Sequence, residues 1–548
     1  MKNKYIKGFL VVLCIIALTL SVSRCSKINN DMTTSSSDSE EVTKVSNVVI
    51  DDEFSDKLSE GSYDEDGATT IVVTDNKVNI DGEGAEYSNN ELKITAGKTY
   101  IISGESEDIN ILVNSSDEEN VVLVLNNVNF TSKDGAVINC QSAKNLVITL
   151  APDTENSLTD SSTRSDENTD VKAAVFSKDD LIINGSGSLS VKANYKNGIQ
   201  SKDDIQILGG KISITTAGNG IVGKDKVAIK DGTITINSKE DGIKATNSED
   251  DSKGYIYITG GDISIECSKD GIQAETDVII EGGSFSIESN DDAIHSNINV
   301  TINGGTFEIA SGDDGIHADE NLVVEKGDIT VTASYEGLEA TVITINDGEL
   351  NITATDDGLN SAEASASTTD EFDMKNRKSF GGGFEEVSEK AHIYINGGNL
   401  KISSGGDGID SNGTIEINGG NTIVEGPEND GNTAVDYSGN LLINGGSIAA
   451  TGSSGMFEAP SDDSGQYTIA MTFEKNYDVK TTITIKDSSG NVIEEISPDK
   501  SFAALIYSSS KLLSQETYTL SIGDSYSEEV TITEKINGSY KQGMFGKK

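Results

Sequence analysis

Positive charge is scarce in this sequence. Its 548 residues include 41 Lys and Arg against 91 Asp and Glu, which gives a formal net charge of −50 and an isoelectric point near 4.2. Nucleic-acid binding needs patches of Lys and Arg, and a chain of like charge repels the phosphate backbone. The composition therefore excludes nucleic acid as a partner class and favours cations.

Proline, aromatic residues and long apolar runs are also rare. The chain has 4 Pro and no Trp, and it is 5% aromatic and 35% hydrophobic, whereas it contains 56 Gly. Thick globular domains usually carry more apolar residues than this. The composition favours an elongated solenoid.

The N-terminus has the pattern of an export signal. Lys2, Lys4 and Lys7 precede an apolar run, 8–20, that is too short to span a bilayer comfortably. The following Val-Ser-Arg-Cys resembles the lipobox of bacterial lipoproteins, with Arg24 where a small residue normally precedes the lipidated Cys25. We expect an extracellular or cell-surface protein, either anchored through Cys25 or secreted.

An internal repeat determines the architecture. The phrase Asp-Gly-Ile-x-Ala recurs, most often with a step of 22 residues, and a second phrase, usually Gly-Gly, keeps the same step. The glycine of the first phrase, replaced once by Ala, falls at Gly198, Gly220, Gly242, Gly271, Ala293, Gly315, Gly337, Gly358 and Gly408. Two markers in fixed phase indicate one repeated unit.

Each unit contains three short stretches that alternate apolar and polar residues, with no helical period. Such a unit cannot bury its apolar stripe alone, so successive units must stack. The sequence predicts an all-β fold, a right-handed parallel β-helix with about 22 residues per three-strand coil, its hand following the crossover rule for parallel strands. The predicted inner ladder is Ile243, Ile272, Ile294, Ile316, Leu338, Leu359 and Ile409.

The predicted boundaries follow the limits of the repeat. They are a signal at 1–25, a Ser- and Asp-rich stalk at 26–47, an N-terminal cap with irregular early coils at 48–170, the β-helix at 171–460 with a loop insertion at 362–391, a small C-terminal β-domain or cap at 461–538, and a tail at 539–548. Cys140 and Cys267 lie about five coils apart, too far for a disulfide at about 4.8 Å per stacked strand. We expect both to be inert packing residues.

An acid precedes the inner apolar residue in most coils. These acids are Asp241, Asp270, Asp292, Asp314, Glu336, Asp357 and Asp407, doubled by Asp291, Asp313 and Asp356. Stacking brings equivalent carboxylates to about 5 Å from one another, where like charges repel. Asp is also a good turn residue before Gly, which is the simpler explanation. The doubling and the persistence of the acid favour Ca²⁺, because hard oxygen ligands with little His and no supporting Cys select it.

Three residues after the acid comes an outward position with mixed polar side chains. It holds Lys244, Gln273, His295, His317, Glu339, Asn360 and Asp410, and we expect Asp436 to continue the row. Such a row could contact the hydroxyls and carboxylates of a glycan, or it could simply be a solvated face. His295 and His317 stand one coil apart, as ligands or as stacked ladder residues.

Catalysis finds little support in the sequence. The surface offers dozens of carboxylate pairs, so no pair of the kind that glycosidases use stands out. A lyase would need Ca²⁺ and a base that abstracts the proton α to a uronate carboxylate, and Lys244 is the one candidate base. We expect no catalytic residues.

Several segments resemble a known family. They are Leu-Asn-Asn-Val-Asn-Phe at 125–130, the phrase 149–160 with its Thr-Leu-Ala-Pro-Asp-Thr-Glu-Asn, the Asp-Gly-Ile and Gly-Gly coils, and the C-terminal pieces 501–509 and 518–520. Together they resemble the carbohydrate-binding β-helix family of clostridial and related bacterial surface proteins, over roughly 48–536. The resemblance implies a right-handed parallel β-helix with bound Ca²⁺ that binds cellulose and acidic pectic chains without demonstrated cleavage. The implied fold is similar to that of pectate lyases.

Three hypotheses follow. The first is a noncatalytic, calcium-assisted polysaccharide-binding protein for acidic pectic chains and cellulose, displayed outside the cell. The second is a calcium-dependent pectate lyase, and the third is a structural adhesin or spacer.

Overall fold

The computed structural model describes residues 48–50, 54, 61–63, 65–74, 77–165, 170–363 and 387–543. The predicted signal with Cys25, the stalk, most of the loop insertion and the last five residues lie outside these ranges. The described part belongs to one compact unit, 44–548, and contains only β-strands. No helix in it is long and apolar enough to cross a membrane.

Alternation along each short segment produces the strands. Within Lys211–Thr216 the residues Ile212, Ile214 and Thr216 are buried, whereas the three residues that alternate with them are exposed. Successive side chains of a strand point to opposite faces, so this pattern buries one face of each segment and leaves the other in solvent. The strands then pair in parallel with the equivalent strands of neighbouring coils.

The strands stack into three columns that wind through about 15 turns, which confirms the predicted parallel β-helix. The first column consists of Thr69–Thr74, Thr99–Ser106, Val121–Thr131, Leu146–Leu150, Leu181–Gly185, Asp204–Ile207, Lys226–Ile229, Tyr255–Ile258, Asp277–Ile280, Asn299–Ile302, Ile316–Val324, Leu338–Ile345, His392–Ile395, Thr414–Ile417 and Leu441–Ile443.

The second column begins with the later halves of Thr99–Ser106 and Val121–Thr131. It continues with Glu155–Thr159, Ser188–Ala193, Lys211–Thr216, Thr233–Ser238, Asp262–Glu266, Ser284–Glu288, Thr306–Ala310, Asp328–Ala333, Glu349–Ala354, Asn399–Ser404, Asn421–Glu425 and Ser447–Gly452.

The third column carries the Asp-Gly-Ile phrase and includes the first halves of Ile316–Val324 and Leu338–Ile345. Its other strands are Glu91–Ile94, Asn110–Asn114, Ile138–Ser142, Ala173–Ser177, Asn197–Ser201, Ile221–Gly223, Ile243–Ala245, Ile272–Ala274, Ile294–Ser296, Leu359–Ser361, Ile409–Ser411 and Val435–Tyr437.

The interior between the columns is a continuous apolar core. All seven residues of the predicted inner ladder, from Ile243 to Ile409, are fully buried in it. Phe285 and Phe307 stack in adjacent coils, with ring centroids 4.6 Å apart and planes inclined by 4°. Cys140 and Cys267 are free and buried, and burial raises the pKa of both thiols to about 12.

The two recurring glycines serve different purposes. Gly283, from the Gly-Gly phrase, has a φ of +117°, a conformation that side chains with a Cβ rarely adopt. Gly315, from the Asp-Gly-Ile phrase, is needed for close approach, because a Cβ there would lie 2.5 Å from the carbonyl oxygen of Gly337 in the next coil. Glycine is therefore needed at one corner for its positive φ and at the other because a side chain would not fit.

Both ends of the column stack carry antiparallel strands. At the N-terminal end, Thr69–Thr74 pairs with Lys77–Asp81, and Ala85–Ser88 pairs with Glu91–Ile94. The first parallel coils contain register shifts after Ile102 and Val113, which account for the blurred period of this region.

At the other end, Phe502–Ser509 pairs antiparallel with Ser447–Gly452 of the last coil and so covers its edge. Thr468–Tyr477 pairs with Phe502–Ser509, and Ile536–Asn537 pairs with Thr468–Tyr477. A separate four-stranded sheet follows, ordered Val492–Ile496, Ile483–Lys486, Thr517–Ile522 and Tyr526–Thr531. These segments share a second core around Phe473 and Tyr507.

Removing one ring of the stacked pair tests the core. Phe307→Ala is expected to lower the free energy of unfolding by about 3–5 kcal/mol, because it deletes a fully buried aromatic side chain. Glu308→Ala, on the exposed face of the same strand, is the matched control and should change it by less than about 0.5 kcal/mol. Urea unfolding followed by circular dichroism measures both, and equal effects would contradict the assignment of faces.

Candidate functional site

The outward residues predicted from the repeat form one row on the third column. Strand register places Lys244 beside Gln273, Gln273 beside His295, His295 beside His317 and His317 beside Glu339. Glu339, Asn360, Asp410 and Asp436 continue the row in the same way. We call these residues together with the preceding acids 241–407 the acidic stripe.

The acids of the stripe are partners of the backbone. Asp241, Asp270, Asp292 and Asp314 are nearly buried. The backbone N–H of Asp314 donates to Oδ1 of Asp292 at 2.8 Å, and those of Asp270 and Asp292 donate to Oδ1 of the preceding acid at 3.3 Å. The N–H of Asp407 donates likewise to Asp357 at 2.6 Å. One oxygen of Asp241, Asp270, Asp292 and Asp357 is therefore occupied by the turn of the next coil.

Asparagine makes the same turn contact in the coils that precede the stripe. The N–H of Asp241 donates to Oδ1 of Asn219 at 2.9 Å, and the N–H of Asn219 donates to Oδ1 of Asn197 at 3.1 Å. The turn accordingly needs a side-chain oxygen at this position and does not need a charge. From Asp241 onward the chain carries a charge that the turn itself does not explain.

Basic residues neutralise the first half of the stripe. Lys244 Nζ lies 2.6 Å from Oδ2 of Asp241. His317 Nδ1 lies between two carboxylates, 3.4 Å from Oδ2 of Asp292 and 3.3 Å from Oδ2 of Asp314. His295 Nδ1 is 3.2 Å from Oδ2 of Asp292. The two imidazole rings are parallel, with centroids 4.8 Å apart.

These contacts shift the pKa values of the histidines and aspartates in opposite directions. Burial alone would lower the pKa of His317, but hydrogen bonds to Asp292 and Asp314 raise it to about 11. Burial likewise opposes ionisation of Asp292, yet hydrogen bonds from His295 and His317 hold its pKa well below the usual range. Burial raises the pKa of Asp314 to about 9. At neutral pH, Asp292 is ionised beside the imidazolium of His317, while Asp314 keeps its proton.

Carboxylates dominate the second half. Oxygen atoms of Asp357, Asp407 and Asp410 lie within 4.8 Å of one another. Burial, then repulsion from Asp407 and Asp356, raises the pKa of Asp357 to about 8. Burial, with repulsion from Asp436, raises that of Asp407 to about 7. Shared protons or a cation can relieve this repulsion.

The doubled acids form a similar group nearer the middle of the stripe. Oxygen atoms of Asp291, Asp292 and Asp313 lie within 4.8 Å of one another, and both Asp291 and Asp313 are exposed. Burial and the charge of Asp292 raise the pKa of Asp291. This group and the 357–407–410 group are the parts of the stripe made of oxygen donors alone.

Two predicted residues have roles that the repeat did not indicate. Gln273 is only 6% exposed and its Nε2 donates to the carbonyl oxygen of Ala274, so it contributes little accessible surface to the row. Glu336 accepts a hydrogen bond of 2.7 Å from Asn360 Nδ2, which ties the acid to the outward residue of the following coil.

A further acidic group was missed by the sequence reasoning. Oxygen atoms of Asp180, Asp203 and Asp204 lie within 4.8 Å of one another. They lie where the first-column strands Leu181–Gly185 and Asp204–Ile207 begin, and Lys226 Nζ is 3.2 Å from Asp204 there. The signal that could have revealed it is the phrase Ser-Lys-Asp-Asp, which occurs at 177–180 and again at 201–204.

Acidification from pH 8 to pH 6 in a chelator is expected to stabilise the fold. The folded-state pKa is about 7 for Asp270 and Asp407 and about 8 for Asp357, chiefly through burial, whereas an unfolded Asp titrates near about 4. The folded chain then holds protons that the unfolded chain has lost, so stability falls as pH rises through the folded pKa values, by about 1.4 kcal/mol per pH unit for each extra proton. The raised pKa of His317 acts with the same sign above about pH 6.5.

Thermal unfolding at pH 6, 7 and 8 measures this dependence. Asp407→Asn keeps the side-chain oxygen that the turn uses and removes one titrating group, so its dependence on pH should be shallower. A wild-type stability that increases from pH 6 to pH 8 would contradict the charge assignments.

Comparisons with known proteins place the chain in a family. The sequence model of a family described as "Carbohydrate-binding domain-containing protein" matches residues 88–292, 277–315 and 313–492, which together span most of the chain and the whole acidic stripe. A protein of that description from Acetivibrio thermocellus is 38% identical over 148 residues, which are 26% of this chain and 52% of the relative. The chain thus matches about half the length of that relative.

A solved structure, of the polysaccharide lyase-like protein from C. thermocellum as a gadolinium derivative, is 34% identical. The match covers 47% of this chain and 96% of the solved one, with a TM-score of 0.41. On the extent of the family match, this chain belongs to the carbohydrate-binding domain-containing proteins.

Proposed function

We propose that this protein is a noncatalytic extracellular binder of polysaccharides whose acidic stripe holds Ca²⁺ and whose outward row meets acidic pectic chains. The observation that carries the proposal is the change from Asn197 and Asn219 to acids in the seven coils from Asp241 to Asp407. Asn satisfies the turn in the earlier coils, so the added charge points to a purpose outside the fold.

The donor atoms of the stripe fit calcium. The groups 291–292–313 and 357–407–410 offer carboxylate oxygens alone, and calcium prefers several hard oxygen ligands in flexible geometry. The raised pKa of Asp357, caused by burial and neighbouring acids, marks a place where positive charge is favourable. When bound there, calcium would supply the positive charge that a uronate carboxylate needs on this strongly acidic protein.

The histidine part of the stripe has a different role in this proposal. His295 and His317 already neutralise Asp292, and their edges are 24% and 23% exposed on the outward row. Imidazolium N–H groups donate hydrogen bonds to hydroxyl or carboxylate oxygens. We infer that they contact the glycan directly, in the same two coils as the 291–292–313 group.

The environment of Lys244 supports binding over cleavage. The only candidate base that the sequence offers, the side-chain nitrogen of Lys244, donates to the carboxylate of Asp241 at 2.6 Å and is held there by the protein itself. A lyase remains the second candidate, because the resemblance implies a fold similar to that of pectate lyases. A spacer or adhesin that binds no glycan is the third.

Chelation is expected to abolish binding of polygalacturonate and to spare much of any binding to a neutral glycan such as cellulose. Asp357→Asn combined with Asp407→Asn keeps the turn oxygens and removes two charges, so it should weaken calcium-dependent pectate binding at least about tenfold. Asp262→Asn, exposed on the second column, is the matched control and should bind normally. Pull-down and calorimetry in calcium or excess chelator measure this, and full pectate binding in chelator would rule out the calcium bridge.

No unsaturated uronate product should form from polygalacturonate in calcium, measured by ultraviolet absorbance. Product that forms with the wild type and disappears with Lys244→Met would establish the lyase instead. Intact folding with no binding on a glycan array would favour the spacer.

A further inference from the structure

A pocket at the N-terminal end of the third column is lined by a buried arginine. It encloses about 280 Å³, and its walls include Glu91, Asn110, Asp134, Gly135, Asn139 and Arg164. The volume is near the lower end of the range for small-molecule sites. Arg164 is the one arginine among the described residues, in a chain that otherwise relies on Lys there.

One edge of the Arg164 guanidinium is fixed by the protein. Its Nη2 donates to Oδ2 of Asp160 at 2.8 Å and to the carbonyl oxygen of Ala173 at 3.2 Å. One face of the group covers the ring of Tyr195, with Cζ 4.7 Å from the ring centroid. The guanidinium is therefore held in one plane before any ligand arrives.

The other edge has no hydrogen-bond partner among the described residues. Nε and Nη1 are buried and make no hydrogen bond, although the side chain is only 3% exposed. Buried donors are almost always paired, and leaving three N–H groups of a charged side chain without acceptors is unfavourable. An acceptor from a bound ligand would satisfy these atoms.

The backbone around the pocket keeps the space open. Gly135 has a φ of +91°, and a Cβ there would lie 3.4 Å from Asn110 Nδ2 and 3.8 Å from Arg164 Nη1. The N–H of Ser165 donates to Oδ1 of Asp134 at 2.8 Å, which ties the residue after Arg164 to the opposite wall. A side chain at residue 135 would occupy the volume between Asn110 and the unpaired edge.

Charge selects the class of ligand. Asp160 already neutralises Arg164, while Glu91 and Asp134 add negative charge to the walls. An anion would be repelled, whereas a neutral polyol offers hydroxyl and ring oxygens to Nε and Nη1 and hydroxyl donors to the acids and amides. We propose that this pocket takes one neutral sugar unit.

The pocket lies on the same face as the acidic stripe. Register aligns Asn139 with Phe176, Gln200, Val222 and then Lys244 in one row, so four coils, or about 19 Å at about 4.8 Å per coil, separate the pocket from the stripe. The inference extends the proposed function to a second site. It rests on carbohydrate binding and is independent of calcium.

Calorimetric titration of the full chain in excess chelator tests the proposal. The probes are tetrasaccharides of β-1,4-linked glucose, galactose, mannose and xylose, with tetragalacturonate as the acidic comparison. We expect at least one neutral probe to bind and tetragalacturonate not to bind. Arg164→Lys keeps a positive charge beside Asp160 but removes the Nε and Nη1 donors that would face the sugar. It should therefore weaken binding by about tenfold or more.

A second variant does not depend on the buried ion pair. Asn139→Leu places an apolar side chain in the pocket wall between Leu112 and Phe176, its neighbours in register. It should also weaken binding of the neutral probe. Lys326→Met, exposed in the turn after the strand Ile316–Val324, is the control and should bind like the wild type.

Absence of binding to every neutral probe would overturn the proposal, as would unchanged affinity in both variants. Arg164-dependent binding of tetragalacturonate in chelator would overturn the neutral class. Loss of neutral-sugar binding in Arg164→Lys with calcium-dependent pectate binding intact would support this pocket separately from the stripe.

Discussion

Parallel hydrogen bonding between successive coils is the constraint on which the rest of this structure depends. It places equivalent residues directly above one another at about 4.8 Å, so each choice in the repeat is copied along the molecule. The inner apolar residues become a continuous core, the Gly-Gly corners become a column of left-handed backbone, and one side-chain oxygen per coil satisfies the turn of the next. Any charge introduced into the repeat is multiplied in the same way.

The acidic stripe shows how the structure accommodates a negative charge that is repeated in successive coils. Where Asn occupies the turn, its uncharged side-chain oxygen accepts the backbone hydrogen bond and no charge is added. Where Asp replaces it, the structure relieves the repulsion in three ways: Lys244 beside Asp241, two histidine side chains around Asp292, and raised pKa values at Asp357 and Asp407. At the last of these places, oxygen atoms of Asp357, Asp407 and Asp410 crowd one another without a neighbouring basic group in the trio.

Three chemically different surfaces follow one another along the third column. The C-terminal part of the third column presents acids, its middle presents stacked histidines, and its N-terminal end presents an Arg-lined pocket with neutralised charge. A linear polysaccharide meets such a face more naturally than a compact ligand does, since the chemistry is spread along the stacking direction. Belonging to a carbohydrate-binding family is consistent with that arrangement.

The sequence by itself determined the parallel coils, the inner ladder and the alignment of the outward row, because the 22-residue period fixes the register. It could not reveal that Oδ1 of each of several acids is taken by a backbone N–H, or that Gln273 is buried, since both depend on how side chains turn at the corner. The pairing of His317 with two carboxylates from different coils, and the meeting of Arg164 with Asn110 and Gly135, were decided only in three dimensions. Periodicity specifies which residues share a row, whereas the packing of irregular corners specifies which atoms touch.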